Sequence, residues 1–107
     1  MKNNTREEIL RMAEEEDVEF IRLQFTDMYG TLKNIAVTVG ELPRALDNKC
    51  MVDGRFIAGV ERRKEIDLYL YPDLDTFAIL PWRPQQRKVA RMFCDLYCPD
   101  GTPYRGS

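Results

Sequence analysis

The stretch Met51-Val-Asp-Gly-Arg-Phe-Ile-Ala-Gly-Val60-Glu-Arg-Arg-Lys-Glu-Ile-Asp-Leu-Tyr-Leu70-Tyr-Pro-Asp-Leu-Asp-Thr-Phe-Ala-Ile-Leu80-Pro-Trp82 decides how the rest of the chain is read. Apolar runs close it at both ends. Its middle, 55–65, is the least core-like part of the sequence, with Arg55, Arg62, Arg63 and Lys64 set against Glu61 and Glu65, and with Gly54 and Gly59 as hinges. The pattern predicts a loop projecting from a rigid frame, and loops held this way carry a large share of binding and catalytic groups. Asp53, at the base of the loop, is the acid that stands out.

Downstream, Thr76 to Leu80 is expected as a strand ended by Pro81, and Val89 to Tyr97 as a long one. In the latter, Ala90, Met92, Cys94 and Leu96 line one face, while Val89, Phe93 and Tyr97 share the other with Arg91 and Asp95. Apolar residues on both faces place this strand inside a sheet rather than at its edge. Pro99-Asp-Gly101 signals a turn. Asp73-Leu-Asp75 beside Pro72 reads as a turn former rather than a cation site, and packing is the default role for Tyr69, Tyr71, Phe77 and Trp82, with an interface patch as the alternative.

Upstream, Thr5-Arg-Glu-Glu8 fits the capping box that opens a helix over about 6–16, with Ile9, Met12 and Ala13 on its apolar stripe. Glu14-Glu-Glu-Asp17 is unfavourable at a helix C-terminus and reads as a solvated end. From Phe20 the period becomes two: Ile21, Leu23 and Phe25 turn inward over 20–26. Asp27-Met-Tyr-Gly30 supplies a turn. A second strand over 34–39 directs Ile35, Val37 and Val39 inward. Residues 41–48 read as a short helix burying Leu42, Ala45 and Leu46. These elements predict an α+β fold of β-grasp (ubiquitin-like) type. Strands 20–26, 34–39, 76–80 and 89–97 form a mixed sheet on the 41–48 helix, the first and last strands adjacent and parallel, with an additional N-terminal helix.

The 107 residues suit a single domain, 1–107. A net charge of −2 gives no basic footprint for nucleic acid. No apolar run approaches the roughly 20 residues that span a bilayer, so no membrane partner is expected and a cytoplasmic location is. Three cysteines, Cys50, Cys94 and Cys98, show no zinc-site spacing and read as buried free thiols, with no metal site. The chain has no histidine, so acid–base chemistry falls to a carboxylate or to another chain.

In unbroken order, Thr5-Arg-Glu, Phe20-Ile-Arg-Leu-Gln-Phe-Thr-Asp27, Gly30-Thr, Lys33-Asn34, Ala45-Leu-Asp-Asn-Lys49 and Met51-Val-Asp-Gly54 resemble the start of type I glutamine synthetase. So do Asp67-Leu-Tyr-Leu-Tyr-Pro-Asp-Leu-Asp-Thr-Phe77, Ala78-Ile-Leu-Pro-Trp-Arg83, Lys88-Val-Ala-Arg91, Cys94-Asp95 and Pro99-Asp-Gly-Thr-Pro103. The resemblance implies the N-terminal β-grasp domain of that enzyme, a fragment of a longer chain whose catalytic domain holds ATP and two Mg or Mn ions. No cofactor is expected on the domain itself. The resemblance further implies a dodecamer of two hexameric rings, in which this domain reaches the adjacent subunit's catalytic domain. There a loop aspartate, matched by Asp53, helps bind ammonium and take a proton, so that ammonia attacks γ-glutamyl phosphate made from glutamate. Alone, the 107 residues are expected to be inactive. A free-standing β-grasp interaction module is the rival reading.

The loop departs from the family's Asp-Gly-Ser-Ser-Ile. Asp53, Gly54 and Ile57 match, but Arg55 and Phe56 replace the serines, and Ala58 and Val60 flank Gly59. In an extended segment Asp53 and Arg55 share a side. At about 4 Å and an effective dielectric near 20 their attraction is roughly 4 kcal/mol before desolvation. Arg55 would then occupy Asp53, repel ammonium and weaken the carboxylate as a base; the alternative is that it points into solvent. These changes leave open a γ-glutamyl ligase for another amine acceptor or a non-catalytic paralogue. Arg62 falls where relatives carry an arginine tied to product-feedback control, although a solvated basic loop is the favoured reading.

Overall fold

The structure, a computed structural model, describes residues 4–27, 29–53, 67–81 and 84–104. The chain opens with helix α1 (Arg6–Glu15). Its capping box forms as the sequence predicts: Glu8 N–H donates to Thr5 Oγ1 at 3.2 Å and Thr5 N–H donates to Glu8 Oε1 at 3.0 Å. Such a cap contributes about 1 kcal/mol. Ile9 and Ala13 are buried, with Leu10 and Met12 packed at the margin. The helix ends in a Schellman motif. Val18 N–H donates to Ala13 O and Asp17 N–H to Glu14 O, and Asp17 takes the left-handed position with φ 55°.

Strand β1 (Phe20–Thr26) and strand β2 (Leu32–Thr38) form the expected hairpin, with Ile21 opposite Val37 and Leu23 opposite Ile35. Gly30 takes φ 82° in the connection, as a left-handed turn residue should. Val39, expected inward, instead leaves the sheet in a 3-10 turn (Val39–Glu41) and stays 38% exposed. That turn runs into helix α2 (Leu42–Leu46), shorter than the predicted 41–48 but burying the expected Leu42, Ala45 and Leu46. A second Schellman motif stops it, with Asn48 left-handed.

Two strands follow that the sequence reading did not separate: β3 (Cys50–Asp53) and β4 (Asp67–Pro72). The strand expected over 76–80 shortens to the two-residue β5 (Ala78–Ile79), with Thr76 drawn into a 3-10 turn (Leu74–Thr76) ahead of it. The cause is local. Asp73 accepts Asp75 N–H, and Thr76 gives its hydroxyl to Asp73 O at 2.6 Å while accepting Phe93 N–H at 2.8 Å. Strand β6 (Val89–Tyr97) closes the sheet as predicted.

The described residues form a six-stranded sheet in the order β2-β1-β6-β4-β3, with β5 beside the first half of β6. The first and last strands are adjacent and parallel, and the other pairings are antiparallel. The mixed β-grasp sheet is therefore present, with its membership corrected. Its inner face, carrying Ile21, Leu23, Phe25, Leu68, Leu70, Ala90, Met92 and Leu96, packs against the helices in one core. Among the described residues, no helix is long and apolar enough to cross a membrane.

Candidate functional site

Asp53 is the last residue of β3, on the final rung of an antiparallel ladder with β4. The ladder pairs Cys50 with Leu70, Met51 with Tyr69, Val52 with Leu68 and Asp53 with Asp67, so its open end leads directly into 54–66. Alternation fixes the direction of the acid. Val52 and Leu68 are buried on the inner face, so Met51, Asp53, Asp67 and Tyr69 belong to the outer one. Asp53 and Asp67 are both exposed there. A rigid sheet thus holds Asp53 at the point where 54–66 begins. Gly54, Arg55, Phe56, Ile57, Gly59 and Arg62 lie outside the described residues.

Asp67 was not singled out in the sequence. The signal was available in the alternation of Asp67, Tyr69 and Tyr71 against Leu68 and Leu70, which defines a strand and, paired back on Met51–Asp53, brings the two acids together. The same alternation corrects the role expected of the aromatics. Phe77 is buried in the core, but Tyr69 and Tyr71 lie half-buried on the outer face; Trp82 is outside the described residues. Tyr71 stacks on Tyr97 with ring centroids 3.8 Å apart. The Arg91 guanidinium lies 4.5 Å from the centre of the Phe93 ring, itself 42% exposed, and donates to Thr76 O at 2.7 Å. An aromatic band therefore runs from β6 across β4 towards Met51 and Asp53.

The other acids have structural work. Asp73 caps the 3-10 turn, and Asp75 accepts Asn4 N–H at 2.8 Å. Asp27 is 5% exposed within the β1–β2 connection, where it accepts N–H bonds from Tyr29 and Thr31, each at 2.9 Å, and meets Lys33 Nζ at 3.4 Å. Burial pushes its pKa up, but the two N–H donors and Lys33 outweigh that and hold it below the ordinary carboxylate value. Burial pushes the Cys94 thiol up to about 12, with Cys50 and Asp95 adding to the effect. Cys50, Cys94 and Cys98 are free thiols, each half-buried.

The family resemblance implies ATP and two divalent cations for the longer enzyme, and the described residues of this chain offer no cluster of metal ligands. Among the described residues no group of three or more Cys, Asp or Glu could hold a metal ion, and the sequence has no histidine. What the arrangement offers is narrower: a carboxylate able to accept hydrogen bonds from a cationic or amine group, beside a second carboxylate and an aromatic surface.

A family profile described as "Glutamine synthetase, beta-Grasp domain" matches residues 17–99. Among curated proteins, the chain is 57% identical over 106 residues to a glutamine synthetase of Clostridium saccharobutylicum, covering 99% of this chain and 24% of that protein. It is 54% identical over 102 residues to a glutamine synthetase of Staphylococcus aureus (strain Mu50 / ATCC 700699), covering 95% of this chain and 23% of the relative. The chain thus spans about a quarter of the length of the curated relatives it matches. Among solved structures, one described as "Apo GmaS without ligand" superposes with a TM-score of 0.72 at 25% identity, covering 89% of this chain and 22% of that one. Another, "GmaS/ADP complex-Conformation 1", gives 0.72 at 24% identity over 90% of this chain and 21% of its own, a likeness of fold.

Proposed function

Because the chain belongs to the glutamine synthetase β-grasp domain family, we propose that it is the N-terminal domain of an ATP-dependent glutamate–ammonia ligase, whose loop carries Asp53 to the neighbouring subunit's active site. The observation that carries this reading is the position of Asp53: exposed, on the last rung of β3–β4, where a rigid sheet can present it to a second chain. Its carboxylate would accept hydrogen bonds from ammonium, stabilise the cation and take its proton, leaving ammonia to attack an acyl phosphate of glutamate. ATP, the two Mg or Mn ions and glutamate would be held by the catalytic domain, in a dodecamer of two hexameric rings in the cytoplasm. The 107 residues alone would not catalyse the reaction, since among the described residues no group of three or more Cys, Asp or Glu could hold a metal.

Arg55 and Phe56 favour a second reading, in which the same domain serves a γ-glutamyl ligase for another amine or a non-catalytic paralogue. Arg55 would repel a polycationic acceptor within a Debye length of about 8–10 Å. On the first reading, Arg55 pairs with Asp53 and releases it when ammonium binds. The test uses the full-length protein. Asp53→Ala should abolish glutamine formation, and changing Arg55 and Phe56 together to serine should lower the ammonium KM. An unchanged KM, with Asp53→Ala inactive, would make Arg55 a bystander. Full activity in Asp53→Ala would remove the loop from the acceptor site.

A further inference from the structure

On the helical side of the sheet, opposite the face that carries Asp53, α1 and the turn into α2 stand apart and leave a groove of about 410 Å³. Leu10, Ala13 and Val18 form its wall on the α1 side, and Val39, Leu42 and Pro43 form the other. Glu14 and Asp17 make its charged rim, and among the described residues no lysine or arginine lines it. Val39 is the wall residue that alternation would have placed in the core, and it is left 38% exposed at the groove.

The rim lies at the carbonyl end of α1, where the helix dipole adds to the negative potential. The neighbouring acids are partly neutralised: Glu16 meets Lys88 Nζ at 3.1 Å and Glu19 meets Arg87 at 3.3 Å. Glu14 and Asp17 have no salt bridge among the described residues. A small polycation would use only such a rim, and an uncharged apolar ligand only the walls. The two together are complementary to a chain segment that presents a large apolar side chain with cations one turn away.

We propose that this groove docks a basic amphipathic segment of a partner protein, its apolar side chain seated between Leu10 and Val39 and its lysines or arginines against Glu14 and Asp17. The surface lies on the opposite side of the sheet from Asp53, so it would bind a partner in addition to any active-site role.

The probe is a short helical peptide of leucine and lysine with the leucines on one face, titrated into the 107-residue chain at low salt. The expected result is saturable one-to-one binding, with amide shift changes centred on Leu10, Val18, Val39 and Leu42. Glu14→Gln combined with Asp17→Asn should weaken it about tenfold, as should Val39→Ser. Removing acids from a helix C-terminus does not threaten the fold, so a melting temperature that is unchanged or raised separates lost docking from lost structure. The proposal is overturned if the peptide does not bind or binds the variants equally well. It is also overturned if a leucine–glutamate peptide or spermine competes as effectively, or if sedimentation shows this face already covered by a second copy.

Discussion

Asp53 and Asp67 face one another across the last rung of the β3–β4 ladder, on the outer face of the sheet. Side chains so placed have Cβ atoms about 4.5–5.5 Å apart, and like charges there oppose the pairing. The rung therefore sets two carboxylates side by side where the 54–66 segment begins and ends. Asp67→Asn should stabilise the domain by about 0.5 kcal/mol. Thermal unfolding at low ionic strength would show it, and the gain should shrink in high salt. A loss of stability instead would mean that Asp67 has a stabilising partner.

Asp27 should be the most consequential acid for folding. Its lowered pKa means that the folded state holds the ionised form better than the unfolded chain does. The contribution is fully present above the ordinary value of 3.8 and is lost as pH falls through the depressed folded value. Asp27→Asn should lower the melting temperature by several degrees at pH 7 and by much less in strong acid. Equal losses at both pH values would show that shape, rather than charge, is what the turn requires.

Asp17 occupies a left-handed position that glycine takes without strain. It also adds a carboxylate to the negative end of α1. Asp17→Gly should stabilise the chain by about 1 kcal/mol, read from urea unfolding midpoints at constant slope. A destabilised variant would show that the carboxylate makes a contact worth more than the strain.

The Cys94 thiol, raised to about 12, should be almost wholly protonated at pH 8. Thiolate is the reactive form, so Cys94 should be alkylated far more slowly than a free thiol until the protein is unfolded in denaturant. Peptide mapping after timed iodoacetamide treatment would measure this. Labelling of native Cys94 at the rate of a model thiol would contradict the raised pKa.

The parts of the fold legible in the sequence were those where one physical signal acted alone. Alternation over Phe20–Thr26 and the Thr5–Glu8 capping box were read to the residue, and the apolar content of Val89–Tyr97 correctly placed that strand inside the sheet. Signals that compete were misread. Leu68 to Tyr71 is apolar throughout, so inward leucines and outward tyrosines were not told apart, and β4 was missed as a strand. Thr76 looked like the start of a strand by propensity, yet its hydroxyl serves Asp73 and Phe93 and bends the chain into a 3-10 turn. Asp53 was legible because of the apolar run and glycine around it. Asp67 was not, because its neighbourhood depends on a register that pairs residues across the 54–66 segment.

The parallel pairing of β1 with β6 joins residues roughly seventy positions apart, such as Phe20 with Val89. Until the last strand exists, the β1–β2 hairpin keeps one long edge of unpaired amides and carbonyls beside an uncovered apolar face. Closing so long a loop is entropically costly and has to precede the contacts that reward it. The consequence is a domain whose assembly is late and cooperative on the ribosome, with an interval in which the bare edge of β1 can recruit a strand from another nascent chain.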